Sequence, residues 1–333
     1  MKINILFKTT DNPAGGGNQF LSSLREYFRL TNAFVDLPEE ADVILFNSHH
    51  NIYHAAKLKL TFPAKVFVHR IDGPMKIYNS PNDIRDNIVY IANKKLADGT
   101  VFQSGWSKKI NHELKLPEKK FEAVINNATD AKVFNSSSRI QFSSGRKISL
   151  IAASFSPNPN KGFETYKWLD ENLDFEKYEM TFIGSSPVGF KNIKHLPPMS
   201  GRGLAEKLKA SDIFIFASKI EACSNLLMEA LSCGLPVVAS NSSSNPEIVA
   251  SGGKLFNQPE QIPALLAEIA GNYSNYMSQI KSPSMDQVGQ AYLDFIKKVY
   301  EERPYKKFRN IDYLKVVLEI LFWNVLGRVG NVI

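Results

Sequence analysis

Short β-branched, apolar runs alternate with longer stretches of helical period along most of this 333-residue chain. That alternation reads as βαβ units, and successive βαβ units build a parallel sheet covered by helices. In the first half, residues 3–7, 43–47, 65–69, 100–103 and 123–126 read as strands, with helices over 18–30, 51–59, 83–94 and 106–114. The pattern then breaks at 135–146, NSSSRIQFSSGR, a serine-rich stretch with no apolar period and the best candidate for a linker. Strands resume at 148–152, 180–183, 213–217, 236–239 and 254–256.

A chain of this length is too long for one ordinary core and suits two domains. The expected division is an α/β domain over 1–140, a second over 141–285, a crossover helix over 286–303, and a basic, apolar tail over 304–333. Open parallel sheets bind ligands at the carboxyl ends of their strands, which favours a site in a cleft between two such domains.

The net charge of +7 is unevenly spread. From Arg303 onward six basic residues stand against Asp312 and Glu319, a net +4. No interleaved basic and aromatic stripe runs through the rest, which argues against a nucleic-acid partner. An anionic membrane surface is the better candidate. The segment IDYLKVVLEILFWNVLGRVG, 311–330, has apolar residues at helical spacing, but Lys315 and Glu319 leave it short of the ~20 apolar residues that span a bilayer. It suits lying flat on a membrane or packing on the domain. Cys223 and Cys233 have no metal-type spacing and read as reduced thiols, and MKINILFK enters a strand with no apolar leader core. A cytoplasmic protein, peripheral on the inner face of a membrane, is the expectation.

The stretch KIEACSNLLMEALSCGLPVV, 219–238, holds the chemistry. It follows the strand pattern SDIFIFAS, so Glu221 falls in a strand-to-helix loop and Glu229 a little over one turn into the helix. Ser224 or Asn225 is the candidate N-cap, and Gly234 and Pro236 are stop signals. Two acids so placed can accept hydrogen bonds from separate hydroxyls of one molecule, and the helix's free amides favour an anion. Equally, a loop Glu and a surface helix Glu would look the same in isolation.

This segment resembles the Glu-x7-Glu motif of retaining GT-B glycosyltransferases, in particular the large family 4 group. The resemblance covers roughly residues 1 to 300. It implies an α/β fold of two Rossmann-like, doubly wound domains facing a cleft. It assigns Glu221 to the donor-sugar hydroxyls, Glu229 to the ribose, and the amides of Cys223, Ser224, Asn225 and Leu226 to the diphosphate and sugar. Cys223 and Ser224 stand where many members have Phe-Gly, so the donor sugar is open. Lys161-Gly162, in SFSPNPNKGFETY, resembles the family's basic pair at the donor phosphates, and Gly184 ends a strand on the donor side. The glycine-rich NPAGGGNQFLSSL, between the first strand and first helix, offers Gly16 and Gly17 to the diphosphate and Asn18 to the acceptor. VHRIDGP, 68–74, resembles an acceptor-side stretch and points to Arg70 and Asp72; an Arg70–Asp72 ion pair would account for the same residues structurally. FQSGWSK and VINNATDAKVF complete the likeness.

The implied activity is transfer of a sugar, with retention and without a metal or other cofactor, from a nucleotide-diphosphate sugar to a glycan or lipid-linked acceptor, as in cell-surface polysaccharide or lipopolysaccharide synthesis. Catalysis would rest on Glu221, Lys161 and Asp72, through positioning and charge stabilisation. The rivals are a sugar-nucleotide epimerase of the same architecture and a non-catalytic module that binds nucleotide sugar or glycan.

Overall fold

The computed structural model describes residues 1–8 and 15–330. The chain forms two compact units: unit 1, Met1–Asn126 with the residues from Met285 on, and unit 2, Asn127–Ser284. Unit 1 begins β1 (Ile3–Leu6), α1 (Gly15–Leu30), β2 (Val43–Asn47), α2 (Ile52–Thr61), β3 (Val66–Ile71) and the short α3 (Met75–Tyr78). It continues α4 (Arg85–Leu96), β4 (Gly99–Phe102), α5 (Gly105–Glu113) and β5 (Glu122–Val124). The five strands are parallel, in the order β1-β2-β3-β4-β5. Beyond β1, the Ile3 N–H and C=O both bond the 33–35 segment, at 2.7 Å to Ala33 O and 3.0 Å from Val35 N, across β1 from β2. The chain therefore steps outward in both directions from β1, which makes the sheet doubly wound. Every residue of β2 and β3 is buried, as covering both faces requires.

Unit 2 contains β6 (Ile148–Ser154), α6 (Phe163–Asn172), β7 (Tyr178–Gly184), β8 (Lys194–Leu196), α7 (Gly201–Lys209), β9 (Ile213–Phe216) and α8 (Asn225–Ser232). Then come β10 (Val237–Ser240), α9 (Asn245–Val249), β11 (Gly253–Phe256), α10 (Ile262–Gly271) and α11 (Tyr273–Ser278). Its six parallel strands run β11-β10-β9-β6-β7-β8, so strand order reverses between β6 and β9. Alternation sorts the strand residues onto two cores. Leu150, Ala152, Ile213 and Ile215 meet α6 and α10, whereas Ile151, Ala153, Phe214 and Phe216 meet α7 and α8. Full burial of each large apolar side chain stabilises by about 1.5–3 kcal/mol.

The units divide at Asn127, ahead of the expected boundary near 140, and 135–146 is not the linker. Arg139 Nη2 donates to the carbonyls of Ser211 (3.3 Å) and Asp212 (3.2 Å), with its guanidinium 5.3 Å over the Tyr273 ring. Phe142 stacks on the same ring at 4.1 Å, and Arg146 grips Asp212 through two bonds of 2.7 and 2.8 Å. Two arginines and one phenylalanine anchor the stretch, a pattern with no period to betray it.

The chain returns to unit 1 as α12 (Met285–Glu302), along α1 and β3, and α13 (Asn310–Gly330), on α4 and α2. Val316 and Ile320 of α13 and the preceding Phe308 are buried against Ile88, Ala92 and Leu96. The expected tail is thus part of unit 1's helical covering. No helix among the described residues is long and apolar enough to cross a membrane.

Candidate functional site

Two loops meet at the switch point of unit 2, where a doubly wound sheet opens a crevice at the strands' carboxyl ends. The loop after β6 ends in a 3₁₀ turn, Pro159–Lys161, started by the Asn158 side chain accepting from Asn160 N at 2.8 Å. Gly162 follows at φ +74°, and a Cβ there would lie 2.2 Å from Ala217 O. Only glycine lets the turn press so closely on the end of β9. The Asn160 carbonyl accepts from Lys219 N at 2.7 Å, tying the two loops together.

Lys161 is thereby delivered to Glu221. Its Nζ lies 2.5 Å from Glu221 Oε1, and Ser218 Oγ donates to the same oxygen at 2.6 Å. The Glu221 backbone N–H is held by Ser243 Oγ at 3.0 Å. Both side chains of the pair remain partly exposed, 19% for Lys161 and 14% for Glu221. From below, the Tyr166 hydroxyl accepts from Ala217 N at 3.0 Å and fixes the residue before Ser218; burial pushes that phenol's pKa upward.

Three residues beyond Glu221, the Ser224 hydroxyl caps α8 by accepting from Leu227 N at 3.3 Å. Asn225 and Leu226, in the first turn of α8, are half-buried. Glu229 lies in the next turn and is only 4% exposed, so the structure sets it apart from the bland alternative of a surface acid. The loop between Glu221 and α8 is braced by Asn127, whose amide donates to Cys223 O at 3.2 Å and Asn225 Oδ1 at 2.8 Å. Gly184 closes β7 at φ +112°, where a Cβ would be 1.9 Å from Ser154 O. Beside it opens a depression of about 430 Å³ lined by residues 184–186 and 195–198, with His195 Nε2 donating to Gly184 O at 2.8 Å.

In unit 1 the residues of VHRIDGP behave differently from one another. Arg70 is fully buried. Its Nη1 donates to Asp72 Oδ1 at 2.9 Å and Asn47 Oδ1 at 2.7 Å, and its guanidinium lies 4.8 Å over the Phe20 ring. The expectation of Arg70 as an acceptor contact is therefore corrected: it has no surface to offer and acts on Asp72. Asp72 is 27% exposed at the carboxyl end of β3, held also by the amides of Asn47 and Gln103. His69, fully buried, stacks on Phe46 at 4.1 Å; its Nε2 donates to Ser48 O at 2.9 Å while Nδ1 faces the Asn93 amide. Burial pushes its pKa down to about 3. On the neighbouring loop, burial, with His50 and Arg85 nearby, lowers His49 to about 4.

The glycine-rich stretch also changes. Helix α1 starts at Gly15, not Asn18, so Gly16 and Gly17 form its first turn with Asn18. Residues 9–14, the rest of that loop, lie outside the described residues. Sequence reasoning missed Ser218, Ser243, Asn127 and His195. Ser218 carried a signal, as a hydroxyl ending a buried strand three residues before an acid, and so did Asn127, within VINNATDAKVF.

Comparison with solved structures agrees with the fold of the two sheets. Sucrose-phosphate synthase from Thermosynechococcus elongatus superposes with a TM-score of 0.63 at 12% identity, covering 98% of this chain and 100% of that one. Anabaena HepE in complex with UDP and glucose gives 0.65 at 15%, covering 96% and 99%. AviGT4, a glycosyltransferase involved in avilamycin A biosynthesis, gives 0.60 at 11%, covering 92% and 99%. The fold is GT-B. Within it, residues 178–275 match the family model described as Glycosyl transferases group 1. That segment carries Glu221 and Glu229 and stops short of Lys161. No curated protein matches the chain.

Proposed function

We propose that this GT-B protein is a retaining glycosyltransferase that moves a sugar from a nucleotide-diphosphate sugar to a hydroxyl of a glycan or lipid-linked acceptor, in cell-surface polysaccharide or lipopolysaccharide synthesis. The observation that carries the proposal is the Lys161–Glu221–Ser218 cluster at the switch point of unit 2, beside the first turn of α8. The group 1 match over 178–275 and the UDP and glucose held by HepE support it.

In this reading Lys161 and the α8 amides at Ser224, Asn225 and Leu226 receive the diphosphate, and Gly184 lets the backbone approach the donor. Glu221 accepts from the donor-sugar hydroxyls and Glu229 from the ribose. Gly16 and Gly17 add first-turn amides, while Asp72 and Asn18 serve the acceptor, with Arg70 positioning Asp72. As the glycosidic bond breaks, negative charge grows on the leaving diphosphate, and the Lys161 ammonium stabilises it without a metal. The leaving phosphate oxygen takes the proton of the acceptor hydroxyl, which attacks from the same face, so configuration is retained. Glu221 limits where the lysine can point, and Ser218 limits where Glu221 can point. The proteins's own share is thus orientation and charge.

Titration calorimetry with UDP, ADP and GDP tests the donor site. One diphosphate should bind, and Lys161→Ala should weaken it by at least about 10-fold, the scale of a lost charge-assisted contact. If none of the three binds, or if Lys161→Ala binds as tightly as wild type, the assignment fails.

A further inference from the structure

Helix α13 is apolar on two faces, and unit 1 uses only one. The inward face, with Val316 and Ile320, is buried on α4 and α2. On the outward face Ile311, Leu314, Leu318, Leu321, Phe322 and Val325 are 47–59% exposed, at spacings that form one continuous stripe along the helix. A stripe of this length is far more than the scattered apolar residues of an ordinary surface.

The net charge around the stripe is positive. Lys315 lies on the outward face itself, exposed between Leu314 and Leu318, and Lys306, Lys307 and Arg309 are exposed just ahead of the helix. Among the described residues Lys306, Lys307 and Lys315 make no ion pair. Both acids of the segment are neutralised: Asp312 by Arg309 at 3.4 Å and Glu319 by Lys95 at 3.5 Å. Tyr305, 63% exposed, adds an aromatic ring beside the lysines. A buried protein partner would leave such lysines to be desolvated at a cost, whereas a lipid surface accepts the apolar stripe and pairs the ammonium groups with headgroups. A second copy would set one lysine cluster against another, or against acids the segment does not offer.

We propose that the outward face of α13 is a docking surface for an anionic membrane, with the helix lying in the interface plane. The stripe enters the acyl boundary, Lys315 reaches back to the headgroups, and Lys306 and Lys307 bind lipid phosphates. The far half of α13 is tied to the carboxyl-edge end of unit 1. Asn324 Nδ2 donates to Tyr53 OH at 3.2 Å at the start of α2, and Gly327 lies against Ile84 before α4. Asp72 stands at that same edge, so docking brings the acceptor side of unit 1 to the bilayer surface; this consequence alone rests on the transferase reading.

The test is sedimentation of the full chain with phosphatidylcholine vesicles, with and without phosphatidylglycerol. Two variants are compared: Leu318→Glu with Phe322→Glu, and Lys306→Glu with Lys307→Glu, each first shown by thermal melting to be folded. Wild type should bind the anionic vesicles and bind neutral ones at least 10-fold more weakly. The apolar variant should lose on the order of 10-fold or more in partition. The charge variant should lose on the order of 30-fold or more. The proposal is overturned if wild type stays in the supernatant, or if both folded variants bind like wild type. It is equally overturned if light scattering shows a dimer that Leu318→Glu with Phe322→Glu splits while vesicle binding is unchanged. Vesicle binding requires no turnover, so its failure and the failure of the transferase reading are separable.

Discussion

Lys161 Nζ lies 2.5 Å from Glu221 Oε1, although sixty positions separate the two residues in the chain. Each side chain is carried by the loop on one flank of the unit 2 switch point. The pair gives the carboxyl edge a fixed cation and a fixed acceptor before either is asked to meet a ligand. Glu221→Gln keeps the shape and the capacity to bond Ser218 while removing the charge. Because the pair is partly exposed, its melting temperature should stay within about 4 °C of wild type. Nucleotide release should fall by roughly 10²-fold, the cost of one misplaced electrostatic contact. Differential scanning fluorimetry and a release assay on the same samples check both halves.

Gly162→Ala should be costly for a different reason. The new Cβ would meet the Ala217 carbonyl, and φ +74° is strained for any L side chain. A loss of more than about 2 kcal/mol is expected, read as a lower urea midpoint with unchanged slope. A variant as stable as wild type would show that the turn is not pressed on β9.

His69 makes stability pH-dependent. Burial lowers its folded pKa to about 3 from the ordinary 6.5, so the unfolded chain binds a proton that the folded one refuses. Stability from this group is fully present above about pH 6.5 and is lost as pH falls toward 3. Between pH 6.5 and 5 the loss should be about 2 kcal/mol. His49, lowered to about 4, adds to the slope in the same direction. Urea titrations at both pH values, on wild type and His69→Asn, isolate the His69 share. An equal slope in the variant would contradict the assignment.

Asp212→Ala should release the 135–146 stretch. The Asp212 side chain is 1% exposed, takes both Arg146 bonds, and accepts from Ser149 N at 2.8 Å. Without it Arg146 keeps only the carbonyl of the adjacent Lys147, and trypsin should cut after Arg146 at least 10-fold faster than in wild type. Mass spectrometry of the fragments shows where cleavage falls. An equal rate at Arg146 would mean that Arg139 and Phe142, both on Tyr273, hold the stretch without it.

Much of this architecture is readable before any coordinates, because buried parallel strands announce themselves as continuous apolar runs. The runs at 43–47 and 213–217 needed no partner to be recognised. Short edge elements did not stand out: β8 has three residues, none buried, and the 33–35 segment bonds through its backbone alone. Glu221 and Lys161 were identifiable as members of a motif, but their contact depends on Gly162 folding the turn onto β9. Arg70 shows the opposite case. Its neighbour two residues on, on the same side of the strand, is the acid that pairs with it, yet nothing in HRIDGP says that Phe20 closes over the guanidinium. The 135–146 stretch misled because serine content describes a segment's surface, whereas two arginines and one aromatic ring decide where it is tied. In α13 both faces are apolar, so periodicity could not tell which one the fold would bury.

The most direct measurement is nucleotide release from a panel of nucleotide-diphosphate sugars, UDP-glucose among them, with wild type, Lys161→Ala and Glu221→Ala. The account predicts that wild type releases nucleotide from one donor, that a hydroxyl acceptor accelerates release, and that each substitution slows it by about 10²–10³-fold. Release left unchanged by both substitutions would contradict the assigned site. Release from no donor with any acceptor would contradict the transferase reading itself.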